Sequence, residues 1–312
     1  MAILVTGANG FIAGHLISFL REKERGEIVG CVRNHFSSQI HNYICDLEDK
    51  KSCEGLIKKI KPEQIYHLAG YTNNARSFLE PQKAISSNLE ITYNLLEAVR
   101  NSCPSARVLI TSTSQVYAPG KKTVDELSPL LPNSPYSLSK KLVEEIAKFY
   151  LEKYALDVII ARLSNQIGPG QPPEYVASSF ARQLALIMLG KKPPELEVGN
   201  LKARRDFLDV RDSSYALWLI MNRGIKGEIY NLASGNLITI KQLLDTLIKI
   251  ANLPEKKVQL TVNKHLYRPE PPSPRISIQK IQTLGFTPSI PLEKSLKDLI
   301  DYWVEELRTS SS

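Results

Sequence analysis

Short apolar runs and stretches of helical spacing alternate along the chain. Ala2-Ile3-Leu4-Val5-Thr6 reads as a buried strand, followed by a helix whose apolar face carries Leu16, Ile17 and Leu20. Glu27 to Val32, Tyr43-Ile44-Cys45, Gln64 to His67, Val108 to Thr111 and Leu156 to Leu163 read as further strands. Between them lie a long helix around Ile85 to Val99 and another with Leu142, Val143, Ile146, Ala147 and Tyr150 at three- and four-residue spacing. Repeated strand–helix units imply a parallel sheet covered on both faces. The pattern predicts an α/β fold, a Rossmann-type doubly wound parallel sheet.

After Leu163 the pattern changes. Ser164 to Gln171 is rich in turn formers, a helix is predicted from Val176 to Leu189, and Lys191 to Arg205 shows little periodicity. Asp206 to Val210 and Glu228 to Leu232 return to strand, with a helix over Ser213 to Met221 between them. Such interleaving predicts a smaller α/β substrate lobe, residues 164–206 plus 234–312, beside a dinucleotide-type domain of residues 1–163 plus 207–233. Leu292 to Leu307 is amphipathic, with Leu296, Leu299, Ile300 and Trp303 on one face, and is expected to pack on the core.

Composition narrows the class. With 312 residues, 43% hydrophobic and 23% charged, the chain suits one large α/β unit or two joined domains. Four cysteines without a C-x-x-C pair fit a reducing cytoplasm, and five histidines without ligand spacing argue against a metal. The apolar N-terminus, Ala2 to Val5, lacks the basic flank of a signal peptide, and no apolar run nears the ~20 residues of a membrane span. A net charge of +8 favours an anionic partner. The basic residues are scattered in pairs rather than in a stripe with aromatics, so a phosphorylated small molecule fits better than nucleic acid.

Chemistry concentrates at the predicted strand ends, where ligands of such sheets bind. Gly7-Ala8-Asn9-Gly10-Phe11-Ile12-Ala13 follows the first strand and opens a helix; its glycines allow a pyrophosphate to approach the helix N-terminus. Arg33 ends the second strand, where an Arg accommodates the 2′-phosphate of NADP and an acid would bind the ribose of NAD. Asp46, Ala69 and Thr113 also fall at strand ends, whereas His67 reads as a packed strand histidine. Ser112-Thr113-Ser114 offers hydroxyls to a substrate oxygen. Tyr136 and Lys140 stand one helical turn apart, and a neighbouring ammonium lowers a phenol pKa toward the range useful for proton transfer.

T-G-x-x-G-F-I, H-L-A, S-T-S-x-x-Y and Y-x-x-x-K occur in the order and spacing of the extended short-chain dehydrogenase/reductases. The chain resembles their NAD(P)-dependent sugar epimerase/dehydratase family over essentially its whole length. The resemblance implies a catalytic set of Thr113, Tyr136 and Lys140. It also implies a cofactor site of Gly7, Asn9, Gly10, Phe11, Ile12, Arg33, Asp46, Leu47, Leu68, Ala69, Gly70 and Leu163, together with Tyr136 and Lys140. NADP(H) is favoured by Arg33, with NAD(H) as the alternative.

In the second half, N-x-I-G-P-G-Q, F-A-x-Q, V-G-N-L-x-A-x-R-D-F-x-D-V-R-D and Y-N-x-x-S-G resemble the GDP-4-dehydro-6-deoxy-D-mannose reductases, which form GDP-D-rhamnose. The GDP-mannose 4,6-dehydratases share much of this pattern. The resemblance implies substrate contacts from Asn165, Arg205 and Arg268, with Val198 and Asn200 near the nucleotide of a GDP-hexose. It further implies a homodimer through the helices at Ile85–Val99 and Leu142–Tyr150. Gln115 stands where the dehydratases carry a Glu base, and a neutral amide cannot abstract a proton. Reduction is therefore expected over dehydration, 4-epimerisation or a non-catalytic NADP-binding role.

Overall fold

The computed structural model describes residues 1–34, 40–120, 122–253, 258–263 and 273–309. Its first half runs β1 (Ala2–Thr6), α1 (Phe11–Lys23), β2 (Glu27–Val32), β3 (His41–Ile44), α2 (Lys50–Ile60), β4 (Gln64–His67), α3 (Asn74–Ser77), α4 (Pro81–Ser102) and β5 (Arg107–Thr113). Then come β6 (Thr123–Val124), α5 (Pro135–Tyr154), β7 (Asp157–Leu163), β8 (Asn165–Ile167), α6 (Val176–Met188), β9 (Glu195–Val198) and β10 (Arg204–Asp209). The chain ends with α7 (Val210–Arg223), β11 (Ile229–Leu232), β12 (Leu237–Thr239), α8 (Ile240–Ile250), β13 (Gln259–Val262), β14 (Arg275–Ile276), α9 (Gln279–Gln282) and α10 (Leu292–Thr309).

Among the described residues, seven strands form one parallel sheet in the order β11-β7-β5-β4-β1-β2-β3. The period of two along each strand divides its side chains between two cores. Ile3, Val5, Leu109 and Ile159 face α1 and α7, against Leu16, Leu20, Leu217 and Ile220. Leu4, Ile65, Val108 and Ile160 face the other way, against Ile57 of α2, Leu95 of α4 and Val143 of α5. This is the Rossmann-like doubly wound sheet that the alternation predicts.

The smaller lobe has its own core. β12, β10 and β8 form a three-stranded sheet among the described residues, and β13 pairs with β9. Phe180 and Leu184 of α6, Leu243 and Leu247 of α8, and Leu296 and Leu299 of α10 close over it. α10 therefore packs as its amphipathic pattern requires, and Trp303 donates through Nε1 to Ser178 Oγ at 2.9 Å.

Three stretches depart from the sequence reading. The turn-rich Ser164 to Gln171 contains β8, and the aperiodic Lys191 to Arg205 contains β9. Phe207, Leu208 and Asp209 pair with β8 in the smaller sheet rather than joining the large one. Their pairing partners lie about forty positions away in the chain, so local spacing carries no trace of them.

Candidate active site

The carboxyl ends of the large sheet and the inner side of the smaller lobe enclose a cavity of about 930 Å³, within the range of small-molecule sites. Gly7 makes the floor possible. Its φ is +66°, and a Cβ there would lie 2.9 Å from the Ala69 Cα, so a side chain meets both strain and backbone. Gly10 N–H donates to the Gly7 carbonyl at 2.8 Å, closing the turn onto α1. Gly10 caps α1 without any side-chain bond, which leaves the helix N-terminus open to an anion. Asn9, Phe11, Ile12, Leu47, Leu68, Ala69, Gly70 and Leu163 line the same cavity. A backbone cradle of this kind fits a dinucleotide pyrophosphate.

α5 brings in the predicted acid–base pair. Ser134 and Ser137 form a capping box, Pro135 occupies the first turn, and the helix starts at the cavity wall. Tyr136 is half-buried there, and burial pushes its phenol up to about 12, with Tyr175 pushing the same way and a hydrogen bond with Thr113 opposing. Lys140 is buried and donates through Nζ to the Thr111 carbonyl at 2.9 Å. Burial lowers it to about 8, while Glu144, one turn along α5, pulls it back up. The sequence reading had the ammonium acting on the phenol. In the structure the ammonium is turned to the Thr111 carbonyl, and burial and Thr113 set the phenol instead.

Several positioning residues lie outside the sequence motifs. Asn88, buried on α4, donates to Ser139 Oγ at 2.8 Å and accepts from Tyr71 N–H at 2.7 Å, tying α5 to the loop after β4. Ser139 Oγ donates in turn to the Tyr136 carbonyl at 2.7 Å. Arg162 of β7 grips Glu144 in a buried bidentate pair at 2.9 and 2.7 Å and reaches the Tyr117 hydroxyl at 3.0 Å. A hint of Asn88 is present in the sequence, as an amide at helical spacing from Ala84, Ile91 and Leu95 on the buried face of α4. Tyr175 has no such signal; its hydroxyl meets Thr72 Oγ1 at 3.1 Å across the cavity mouth, from the other lobe. His67 is a packed strand histidine, its nitrogens 2.9 and 3.2 Å from the hydroxyls of Thr6 and Thr92, and burial lowers it to about 3.

The remaining expected residues divide. Arg33 lines the cavity, but Asp46 faces Arg33, 3.5 Å from its Nη2, and is not part of the wall. Asn165, Asn200 and Arg205 line the smaller-lobe side; Asn165 donates to the Asp206 carbonyl at 3.0 Å and Arg205 to Ser273 Oγ at 3.0 Å. Val198 does not reach the cavity. It is fully buried in the lobe core because the alternation of β9 turns Leu196 and Val198 inward, and Glu197 and Gly199 line the wall in its place. Arg268 lies outside the described residues. Gln115 lines the cavity near Thr113, and its N–H donates to Thr113 Oγ1 at 3.3 Å. Among the described residues no group of three or more His, Cys, Asp or Glu side chains is placed to hold a metal, and no helix is long and apolar enough to cross a membrane.

Known proteins share this fold. The family model described as GDP-mannose 4,6 dehydratase matches residues 4–299. The GDP-6-deoxy-D-mannose reductase of Pseudomonas aeruginosa is 31% identical over 311 residues, 98% of each chain. The solved structure of RMD from Pseudomonas aeruginosa, complexed with NADPH, superposes with a TM-score of 0.86 at 28% identity, covering 98% of this chain and 99% of that one. The UDP-glucose 4-epimerase of Thermotoga maritima, solved with UDP-glucose, gives 0.85 at 27% identity, covering 98% and 100%. The glycine turn, the Tyr136–Lys140 helix and a match running through both lobes converge on one conclusion: the chain belongs to the GDP-mannose 4,6-dehydratase family, NAD(P)-dependent nucleotide-sugar enzymes of the extended short-chain dehydrogenase/reductase type.

Proposed function

We propose that this chain reduces the 4-keto group of a GDP-linked 6-deoxyhexose, giving GDP-D-rhamnose, with NADP(H) favoured over NAD(H). The observation that carries the reading is Gln115 on the cavity wall beside Thr113. An amide cannot serve as the base that dehydration requires, whereas reduction needs only a hydride and a proton donor. The 31% identity to the Pseudomonas reductase across 98% of both chains supports the same choice.

The dinucleotide would lie on the Gly7–Ala13 turn and along Leu47, Leu68, Ala69, Gly70 and Leu163, with Lys140 on the ribose of its nicotinamide half. When bound, a reduced nicotinamide supplies the hydride. Tyr136 gives its phenolic proton to the oxygen at C4, and Thr113 hydrogen-bonds the same oxygen as its charge grows. The high phenol pKa suits a donor that holds its proton until an alkoxide forms. Asn165, Asn200 and Arg205 would hold the nucleotide sugar, the guanidinium matching a diphosphate.

The proposed division of labour follows the two lobes, cofactor on residues 1–163 plus 207–233 and sugar nucleotide on 164–206 plus 234–312. Two stretches fall outside this division: residues 207–209 pair within the smaller sheet, and Ile281 and Phe286 pack into a core of the large sheet. Four free thiols fit a cytoplasmic enzyme. The test is absorbance of the reduced nicotinamide with GDP-4-keto-6-deoxymannose. Consumption requiring both protein and keto sugar is expected, faster with NADPH than NADH. No consumption, combined with turnover of GDP-mannose or a UDP-sugar, would favour the dehydratase or the 4-epimerase of the same family.

A further inference from the structure

The adenosine end of the cavity carries a charge balance that the catalytic groups do not explain. Arg33, at the end of β2, donates through Nη2 to Glu48 Oε1 at 2.8 Å and lies 3.5 Å from Asp46 Oδ1. Glu48 is itself fixed. Ser87 Oγ of α4 donates to the same Oε1 at 2.5 Å, and the Glu48 N–H donates to Asp46 Oδ1 at 3.1 Å. Buried Asn94 holds the loop from below, donating through Nδ2 to the Leu47 and Glu48 carbonyls at 2.9 and 3.0 Å. The Ser87 hydroxyl and the Arg33 guanidinium, with Lys83 adding to them, keep the Glu48 carboxyl below its ordinary range. Arg33, Lys83 and Ser87 line the cavity, and Asp46 and Glu48 meet Arg33 without lining it.

A phosphate brought to Arg33 must therefore share the guanidinium with Glu48 and approach a fixed negative charge. A ribose hydroxyl meets no such opposition, because it carries no charge. We propose that Glu48 is a specificity-determining positioning residue of this site: it holds Arg33 and weighs against a 2′-phosphorylated adenosine ribose relative to an unphosphorylated one. The inference rests on the reading of the cavity as a dinucleotide site. Arg33 and Glu48 are both partly exposed, at 57% and 35%, so the effect is moderate and screened by salt.

Titration calorimetry with NADPH and NADH on the full chain, at low and high ionic strength, decides the matter. Glu48→Gln keeps the shape and removes the charge. At low salt it is expected to tighten NADPH by about fivefold, from one removed unit charge near a dianion, while NADH stays within about twofold. High salt should shrink the gain, and adding Arg33→Ala to the same variant should abolish it. Equal changes for both nucleotides, no change, or weaker NADPH binding would overturn the role of Glu48 alone. A wild-type chain that binds neither nucleotide would overturn the dinucleotide reading and this inference with it.

Discussion

Tyr136 and His67 show how burial selects what a side chain can do. Tyr136 opens α5 on the cavity wall and His67 ends β4, yet Tyr136 keeps a cavity-facing phenol while His67 is closed between two threonine hydroxyls. Tyr136→Phe removes the proton donor and little else, so turnover should fall at least ~100-fold with dinucleotide binding nearly intact. Near-normal turnover in that variant would sink the assignment of Tyr136. His67 makes a different prediction. Its pKa, about 3, is depressed below the ordinary 6.5, so the unfolded chain binds the proton first as pH falls. Stability is full above the ordinary value and is lost from there down toward the folded one. Relative to His67→Gln, the wild type should lose about 2 kcal/mol between pH 6.5 and 5. Urea midpoints with the same pH dependence in both proteins would contradict this.

Residues at fixed local spacing that line the cavity were legible in the sequence, Gly7, Gly10, Tyr136 and Lys140 among them, whereas only the family resemblance singles out Thr113 from its hydroxyl-rich turn. Those defined by a distant partner were not. Tyr175 acquires its meaning from Thr72, and Glu48 from Arg33 and Ser87, contacts that no local pattern records. Val198 was misplaced because β9 was not read as a strand, and without a strand there is no alternation to say which residues face inward.

Among the elements, α5 is the one whose placement decides function, and the buried Glu144–Arg162 pair anchors its middle to β7. Glu144→Ala alone leaves a buried guanidinium uncompensated and should destabilise the protein by about 3–5 kcal/mol. Replacing both partners, Glu144→Leu with Arg162→Met, should recover most of that loss, since an apolar pair of similar volume needs no compensating charge. Denaturant midpoints for the single and double variants test this, and an additive double variant would rule out the pairing as the source. The strands of the large sheet were predictable because they are buried on both faces and read as short apolar runs between helices. β8 (Asn165-Gln166-Ile167) and β9 (Glu195-Leu196-Glu197-Val198) carry polar residues and form no such run. α8 is different: Ile240, Leu243, Leu244, Leu247 and Ile248 are spaced as a helix.

On the scale of the whole molecule, the chain crosses between lobes several times, and the cavity is bounded by both. Alternation along the sequence predicts the large sheet, but which later segment returns to it is a question of topology. The same scale raises the matter of a partner. The proposed dimer would use the outer faces of α4 and α5, where Tyr93, Phe149 and Tyr154 are 47%, 49% and 43% exposed. These rings form a connected aromatic patch through Tyr150, with centroid separations of 5.3 to 6.3 Å. Aromatic residues so placed suit the core of an interface, where they bury large area with few rotatable bonds. A second copy of the chain would meet the patch with an identical one, and two helices from each subunit would make a self-complementary four-helix contact. Tyr93→Glu with Phe149→Glu would set like charges against one another across the twofold axis. Light scattering after size exclusion should report a dimer for the wild type and a monomer for this variant. Because none of Tyr93, Phe149 and Tyr154 lines the cavity, the monomer should retain NADPH binding. A wild type that is monomeric at micromolar concentration, or a variant that stays dimeric, would show that the α4–α5 face is not where two copies meet.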